Sequence, residues 1–320
     1  MKVLQLVTSP RPFFDQQVST LQTRGVDCTI LAVPGRYGGD SGRSVMAYAR
    51  YYRDVLSAIK SGDFDLIHAN YGLVAPFAFA QPIRPVVVTL WGTDLMSDHD
   101  WLRSVSRFAA QRADATIVPS QVMASELETD YDLIPFGVDT ELFRPISRQL
   151  ARERIGWESD RQIALFPYDE TRDVKDYTRA QKLVSGADAD LELRPVSGVD
   201  HDEMPNFMNA SDVLLVTSKR ESGPMVVKEA AACNLPIVST DVGFVRETVG
   251  NLHNCTVSDD DETLVAGLEQ TFDAGSRSNG RQSIDGLGLE SLGDSLLEVY
   301  RRTLDREGET KSRTEVSHGV

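Results

Sequence analysis

The amino-acid sequence predicts an α/β protein made of two successive halves, each built on a parallel sheet. Three observations carry this expectation. Short apolar or β-branched runs alternate with longer helical segments along most of the chain. Continuous apolar strands separated by helices belong to parallel sheets covered on both faces. The alternation breaks around Ile134-Pro135-Phe136-Gly137-Val138-Asp139 and Phe143-Arg144-Pro145, and then restarts. Finally, 320 residues correspond to about two domains at roughly 100–200 residues each. The expected boundaries are 1–145 and 146–305, with 306–320 a polar tail lacking periodicity.

In the first half, 3–7 reads as a strand and 13–24 as a helix with Val18 and Leu21 on one face. Residues 28–33 form a second strand, 45–59 a helix and 66–69 a third strand. The run PVVVTL at 85–90 is β-branched and therefore a strand, followed by a helix at 100–112 and a strand at 115–118. The second half repeats the rhythm. Strands are expected at 163–166, 191–195, 213–217 and 236–239, and helices near 177–184, 203–209, 225–233 and 261–271. A last helix over 289–304 follows from Leu292, Leu296, Val299 and Tyr300 at i, i+4, i+7 and i+8.

The chain carries 33 basic and 48 acidic residues, a net charge of −15, which disfavours nucleic acid or anionic lipid as an electrostatic partner. The basic residues are 26 Arg and 7 Lys, and the acidic ones 30 Asp and 18 Glu. A Lys-poor, Asp-rich surface fits a halophilic protein kept soluble in a salt-rich cytoplasm, where screening weakens self-repulsion; a merely acidic protein is the alternative. Cys28, Cys233 and Cys255 show neither CxxC spacing nor an even count, so no disulfide framework or zinc knuckle is indicated. Cys28 and Cys233 lie in apolar runs and are expected in the core. No apolar stretch reaches ~18 residues, so no spanning helix is expected. The N-terminal apolar run is too short for a signal-peptide core and stops at Pro10 and Pro12. The chain is expected in the cytoplasm, either free or peripheral at the inner face of the cell membrane.

Ligands of open parallel sheets bind beyond the carboxyl ends of strands, where loops enter helices. Three junctions carry suitable side chains. The richest runs from Thr217 through Glu221-Ser222-Gly223-Pro224-Met225-Val226 to Glu229. Pro224 stands where a first helical position is expected, and the amides after it lack internal partners, which suits oxyanions or hydroxyls. Two carboxylates, Glu221 and Glu229, can each accept from separate hydroxyls of a polyol; a surface pairing of Glu229 with arginine is the plainer alternative. The second junction, after 163–166, places Arg172 and Lys175 three apart on one face of a turn. They could neutralise a diphosphate, arginine through its fork and lysine as a point charge, or pair with Asp169, Glu170 and Asp173. At the third, Trp91-Gly92-Thr93-Asp94, Gly92 allows close backbone approach, and Asp94 either accepts from a sugar hydroxyl or caps the following segment.

Other signals are weaker. Asp63-Phe64-Asp65 and Asp188-Ala189-Asp190 imitate a metal-binding DxD but precede strands, so they read as turns. Asp259-Asp260-Asp261 is placed to cap the helix at 261–271. The loop Arg36-Tyr37-Gly38-Gly39-Asp40-Ser41-Gly42-Arg43 has no GxGxxG register, which disfavours dinucleotide binding; its arginines are candidates for an anionic acceptor. The five histidines are dispersed, with no spacing that suggests a metal site.

The segment Glu221-Ser222-Gly223-Pro224 to Glu229-Ala230 resembles the E-x7-E motif of retaining GT-B glycosyltransferases, family 4 in particular. The resemblance continues through Cys233-Asn234-Leu235-Pro236-Ile237-Val238 to Glu247, includes Ala210-Ser211-Asp212 upstream, and takes in Val118-Pro119-Ser120 and 134–145. It implies a GT-B fold, two Rossmann-like α/β/α domains facing a central cleft, with the acceptor on the first and the nucleotide-sugar on the second. It also implies roles. Glu229 would hold the ribose hydroxyls, and Glu221 with the amides of Ser222, Gly223, Pro224–Met225 and Val226 the donor sugar and phosphate. Arg172 and Lys175 match the basic pair that neutralises the diphosphate in place of a metal, so no cofactor is expected. Trp91, Gly92 and Asp94 fall on a segment that contacts the donor sugar. Departures from the family pattern are Thr8-Ser9-Pro10-Arg11-Pro12-Phe13-Phe14 where a Gly-rich loop is usual, Trp91 where His is frequent, the order Glu221-Ser222-Gly223-Pro224, and Asn234 for Gly.

The function implied is transfer of a sugar, with retention, from a nucleotide-sugar to a saccharide or lipid-linked acceptor in cell-surface polysaccharide or glycoprotein assembly. A non-catalytic GT-B relative that binds a partner is the alternative raised by Trp91 and the altered N-terminal loop. A nucleotide-sugar 2-epimerase is a third reading, against which the E-x7-E arrangement speaks.

Overall fold

A computed structural model describes residues 1–35, 43–158 and 161–317, without the side chains of 273–274 and 310–317. Of the glycine-rich loop at 36–43, only Arg43 falls within that range. The chain divides into two compact units, Met1–Gly137 with Leu289–Val320, and Val138–Gly288.

The first unit holds six strands, β1 (Lys2–Val7), β2 (Asp27–Ala32), β3 (Leu66–Asn70), β4 (Val86–Thr89), β5 (Ala115–Val118) and β6 (Asp132–Leu133). They form one sheet in the order β2-β1-β3-β4-β5-β6, and every pairing is parallel. Helices α1 (Pro12–Thr23), α2 (Val45–Ser61), α3 (Ala75–Phe79), α4 (Asp100–Arg112) and α5 (Gln121–Ala124) connect them. Successive strand residues point to opposite faces. Leu4, Leu6, Ile67, Ala69, Val86 and Val88 therefore pack with Tyr51 and Val55 of α2, Ala75 and Ala78 of α3, and Ala109 of α4. Val3, Leu66, Val87 and Ile117 face the other side, with Leu21 of α1. The central strands are buried on both faces as expected. β2 is not: it is an edge strand, Ile30 is 40% exposed and Cys28 only half-buried, because an edge has one strand neighbour and less helix cover.

The second unit contains α6 (Arg148–Ile155), β7 (Gln162–Phe166), α7 (Tyr177–Gly186), β8 (Leu191–Pro195), α8 (Met204–Ala210), β9 (Val213–Val216), α9 (Met225–Ala232), β10 (Ile237–Ser239), α10 (Val245–Val249), β11 (Cys255–Val257) and α11 (Asp261–Ala274). Its sheet runs β11-β10-β9-β7-β8, again parallel throughout. Local chemistry sets the ends of these helices. Asp260 caps α11 by accepting from the Thr263 amide at 2.8 Å, and Gly275 closes it in the left-handed region at φ +59°. Asp176 caps α7 by accepting from the Arg179 amide at 3.2 Å. The two DxD-like segments precede β3 and β8, and the Asp65 carboxylate accepts from the Lys2 amide at 2.7 Å.

Two expected boundaries move. Residues 138–145 fold with the second unit: Phe143 is buried in its core, and the Val138 amide donates to the Leu287 carbonyl at 3.0 Å. The last helix, α12 (Leu289–Ser317), was expected to close the second domain and instead belongs to the first unit. Its apolar face, Leu292, Leu296, Val299 and Tyr300, is buried with Leu21 against the β1–β3–β4 face. Gly293 permits the approach of α1, since a Cβ there would meet Thr20 Cγ2 at 2.4 Å. A buried polar chain adds direction. Gln5 Nε2 donates to the Tyr300 hydroxyl at 3.1 Å, which also meets His68 Nδ1 at 2.6 Å, while His68 Nε2 meets Thr89 Oγ1 at 2.7 Å. The polar stretch from Arg306, expected as a frayed tail, continues α12 to Ser317.

Candidate active site

In the second unit, β7, β8, β9 and β10 all release their carboxyl-terminal loops at the same end of a parallel sheet, as parallel strands must. Thr217, buried just past β9, donates from Oγ1 to the carbonyls of Lys175 and Asp176, both at 3.0 Å. The Lys219 amide donates to the Val174 carbonyl at 2.9 Å. These bonds join the loop after β7 to the loop after β9 and bring the second sequence junction against the first.

Lys175 and Glu221 meet there. The Lys175 ammonium bonds Glu221 Oε1, to which Ser218 Oγ also donates at 2.9 Å. The side chains are 6% and 16% exposed. Lys175 Nζ also lies 3.9 Å from the centre of the Tyr168 ring, a cation–π contact. Burial pulls the Lys175 pKa below the ordinary lysine range, and Glu221 partly offsets that pull. Arg172 is exposed one turn earlier and forms no ion pair among the described residues. The basic pair is thus split: Lys175 is engaged with Glu221, and Arg172 extends into solvent.

The E-x7-E loop itself is tight. Gly223 packs so closely on Phe244 that a Cβ would lie 2.2 Å from a ring carbon. Gly243, at φ +58°, lies over the same loop, where a Cβ would meet the Gly223 nitrogen at 2.8 Å. Pro224 is the N-cap of α9 and Met225 its first residue, one position later than the sequence suggested. The proline's fixed φ suits the extended cap conformation (φ −72°, ψ 108°) as well as a first helical turn. The amides that open α9 carry the positive end of the helix dipole.

Glu229 lies one residue past the middle of α9 and is nearly buried. Its Oε1 is 2.9 Å from His201 Nε2, with the two side chains 10% and 31% exposed. The bond to Glu229 raises the His201 pKa, burial opposes it, and the Asp139 and Asp202 charges add to the rise. The surface-arginine pairing considered for Glu229 gives way to this histidine. Next to it in sequence, Lys228 stands over the Phe244 ring at 4.5 Å, and burial lowers its pKa to about 8.

Trp91, Gly92 and Asp94 belong to the first unit, at the end of β4. Asp94 is fully buried. Its two oxygens accept from the amides of Gly72 (2.9 Å), Trp91 (3.0 Å), Gly92 (2.8 Å) and Leu95 (3.0 Å). A carboxylate so enclosed holds the loop together rather than offering itself to a sugar hydroxyl, so of the two roles read from the sequence the structure supports the capping one and not the sugar contact. Gly92 adopts φ +107°, the left-handed geometry that a side chain would oppose. The Trp91 indole packs edge-on to Phe13 (centroids 4.8 Å, 76°) and to Tyr71 (5.8 Å, 67°), so the altered N-terminal segment and the Trp substitution form one aromatic cluster.

His201, Ser218 and Phe244 escaped the sequence reading. His201 had one available signal: it follows strand 191–195, at the ligand-binding end of the same half. Its isolation from other histidines argued against a metal and concealed a pairing with a distant glutamate. Among the described residues no group of three or more His, Cys, Asp or Glu is placed to hold a metal ion.

Comparison with known proteins agrees with this geometry. A family model described as Glycosyltransferase Family 4 matches residues 9–142, and one described as Glycosyl transferases group 1 matches residues 174–281. The chain is 24% identical over 307 residues to D-inositol 3-phosphate glycosyltransferase 1 of Catenulispora acidiphila, covering 76% of this chain and 73% of that one. It is 24% identical over 250 residues to the putative teichuronic acid biosynthesis glycosyltransferase TuaC of Bacillus subtilis, covering 68% and 63%. Among solved structures, sucrose-phosphate synthase from Thermosynechococcus elongatus superimposes with a TM-score of 0.73 at 17% identity, over 96% of this chain and all of that one. Anabaena HepE in complex with UDP gives 0.71 at 16%, over 94% and 100%. Two parallel-sheet units of this kind, superimposing on these structures, have the GT-B fold. Through its two family models the chain belongs to glycosyltransferase family 4.

Proposed function

We propose that the chain is a retaining, metal-independent hexosyltransferase that moves a sugar from a nucleoside diphosphate-sugar to a saccharide or lipid-linked acceptor in the assembly of cell-surface polysaccharide or glycoprotein glycans. The observation that carries this reading is the joining of Lys175 to Glu221 at the carboxyl end of β9, with Arg172 unengaged beside it. The donor diphosphate would compete with Glu221 for the Lys175 ammonium and take the Arg172 fork. Charge grows on the β-phosphate as the glycosidic bond breaks, so cations fixed there favour the transition state over the ground state. Glu221, released from Lys175, and the backbone N–H groups of Ser222, Gly223, Met225 and Val226 would hold the donor sugar and phosphate, and Glu229 the ribose hydroxyls. In front-face transfer the acceptor hydroxyl passes its proton to the departing phosphate, so no separate general base is required. Support for a nucleotide-sugar comes from HepE, whose structures contain UDP, UDP with glucose, and UDP-glucose.

The site is expected in the cytoplasm, free or peripheral at the inner membrane face. Among the described residues no helix is long and apolar enough to cross a membrane. The excess of Asp over Glu and of Arg over Lys supports the halophilic reading. A thermal-shift panel of UDP-, GDP- and ADP-sugars at high salt tests donor use, because a bound donor stabilises by mass action. Arg172→Met separates enzyme from binding protein. Transfer should fall about 100-fold or more with the melting temperature unchanged, whereas a non-catalytic protein would keep its cellular role.

A further inference from the structure

Glu229, like Glu221, finds its partner on another loop, here the connection between β8 and α8. His201 Nε2 sits 2.9 Å from its Oε1. The imidazole is itself held in place: it packs on Phe143 with ring centroids 5.2 Å apart at 59°. Phe143 is fully buried, its amide donates to the Asp139 carbonyl at 2.8 Å, and its carbonyl accepts from Arg281 at 2.9 Å. A glutamate left to itself has three rotatable side-chain bonds. With one oxygen bound to a ring packed on Phe143, rotation of the carboxylate is restricted and Oε2 keeps its lone pairs for a ligand.

We propose that His201 is a positioning residue for the nucleotide, acting through Glu229: it holds Oε1 so that the rest of the carboxylate accepts from the ribose diol of the donor. The inference rests on the reading that Glu229 receives those hydroxyls. Lysine in its place would supply charge without the packed, planar anchor. Both the cation and the neutral Nε2–H tautomer donate, so the bond survives deprotonation while its charge assistance does not. The charged groups facing the ring are Glu229 from α9, Asp139 from the segment before α6, and Asp202 on its own loop, all anionic and all favouring the imidazolium. An anionic diphosphate-sugar gains from that positive charge. Its affinity therefore declines as pH rises through the His201 transition.

The test uses the full chain and whichever of UDP, GDP and ADP binds the wild type most tightly, with the 2′-deoxy form of the same nucleotide. His201→Leu should weaken binding of the ribonucleotide about tenfold, and His201→Gln, which keeps a donor, by no more than about threefold. The 2′-deoxy form should bind the wild type about tenfold more weakly, and this penalty should shrink below about threefold in His201→Leu, because both changes act through the same carboxylate. The corresponding nucleotide-sugar, whose diphosphate does not titrate near neutrality, should lose affinity as pH rises through and above the ordinary histidine range with the wild type but not with His201→Gln. Equal 2′-deoxy penalties in wild type and His201→Leu, or identical pH profiles in wild type and His201→Gln, overturn the role of His201 while leaving the glycosyltransferase reading intact. Failure of the wild type to bind any of the nucleotides overturns both.

Discussion

Replacing Lys175 with methionine keeps an unbranched side chain beside Tyr168 and removes the charge, leaving the Glu221 carboxylate with Ser218 as its side-chain donor among the described residues. Breaking a buried ion pair from one side costs about 3–5 kcal/mol. Glu221 is 16% exposed against 6% for Lys175, so water reaches the orphaned carboxylate and the loss should lie near the low end, about 3 kcal/mol. Glu221→Gln is milder, about 1–2 kcal/mol, because burial already lowers the Lys175 pKa and an unpaired ammonium can shed its proton. The double variant buries no unpaired charge and should cost about 2 kcal/mol, less than the two single losses together. The coupling of about 2 kcal/mol is read by urea unfolding followed by fluorescence. A background with Trp91 and Trp101 changed to phenylalanine leaves Trp157, in the second unit, as reporter. Sugar transfer should drop at least about 100-fold in all three variants, so the double variant regains part of the stability lost in Lys175→Met while activity does not return. A coupling below about 0.5 kcal/mol, or transfer by the double variant at wild-type rate, would refute the view that this pair is both the resting lock of the site and part of its phosphate machinery.

Three more outcomes are expected. Burial holds the His68 pKa down to about 3, from an ordinary 6.5. The unfolded chain therefore takes the proton first, and stability falls as pH drops through that window by about 1.4 kcal/mol per pH unit. Subtracting the urea-unfolding profile of His68→Gln from that of the wild type should isolate this slope, and parallel profiles would contradict it. Asp94→Ala should destabilise the first unit by about 2–3 kcal/mol while leaving nucleotide affinity unchanged; a weakened nucleotide complex at full stability would return Asp94 to the list of ligand contacts. Gly243→Ala forces a side chain into the left-handed region, about 1 kcal/mol, and against the backbone of Ser222–Gly223. Calorimetry should show weaker nucleotide-sugar binding, and an unchanged affinity would mean the loop yields without consequence.

Much of the fold was legible because periodicity and chain reversal are local properties. The helix at Asp100–Arg112 and the strands at Ala115–Val118 and Leu191–Pro195 lie where the pattern put them. Short elements were not legible. α3, α5, α10 and the two-residue β6 carry too few residues to show a period, and α6 is dominated by charged and polar residues rather than an apolar stripe. The amphipathic face of α12 was plain, yet the sheet that would cover it was not. An apolar stripe specifies that something must bury it, whereas Gly293 and Tyr300 choose α1 and the polar chain of Gln5 and His68 only once the fold has formed.

The same division runs through the site. The sequence by itself determined the family, two parallel sheets and the residues at the strand ends, because the E-x7-E spacing and the strand-to-helix junctions are contiguous along the chain. Only the tertiary structure decided their pairings. It engaged Lys175 with Glu221 at a sequence separation of 46, Glu229 with His201, and the carboxylate of Asp94 with its own loop and Gly72. Such choices depend on which loops the sheet order places side by side. A carboxylate in the sequence announces a need for donors, and burial in the folded chain settles which donors meet it.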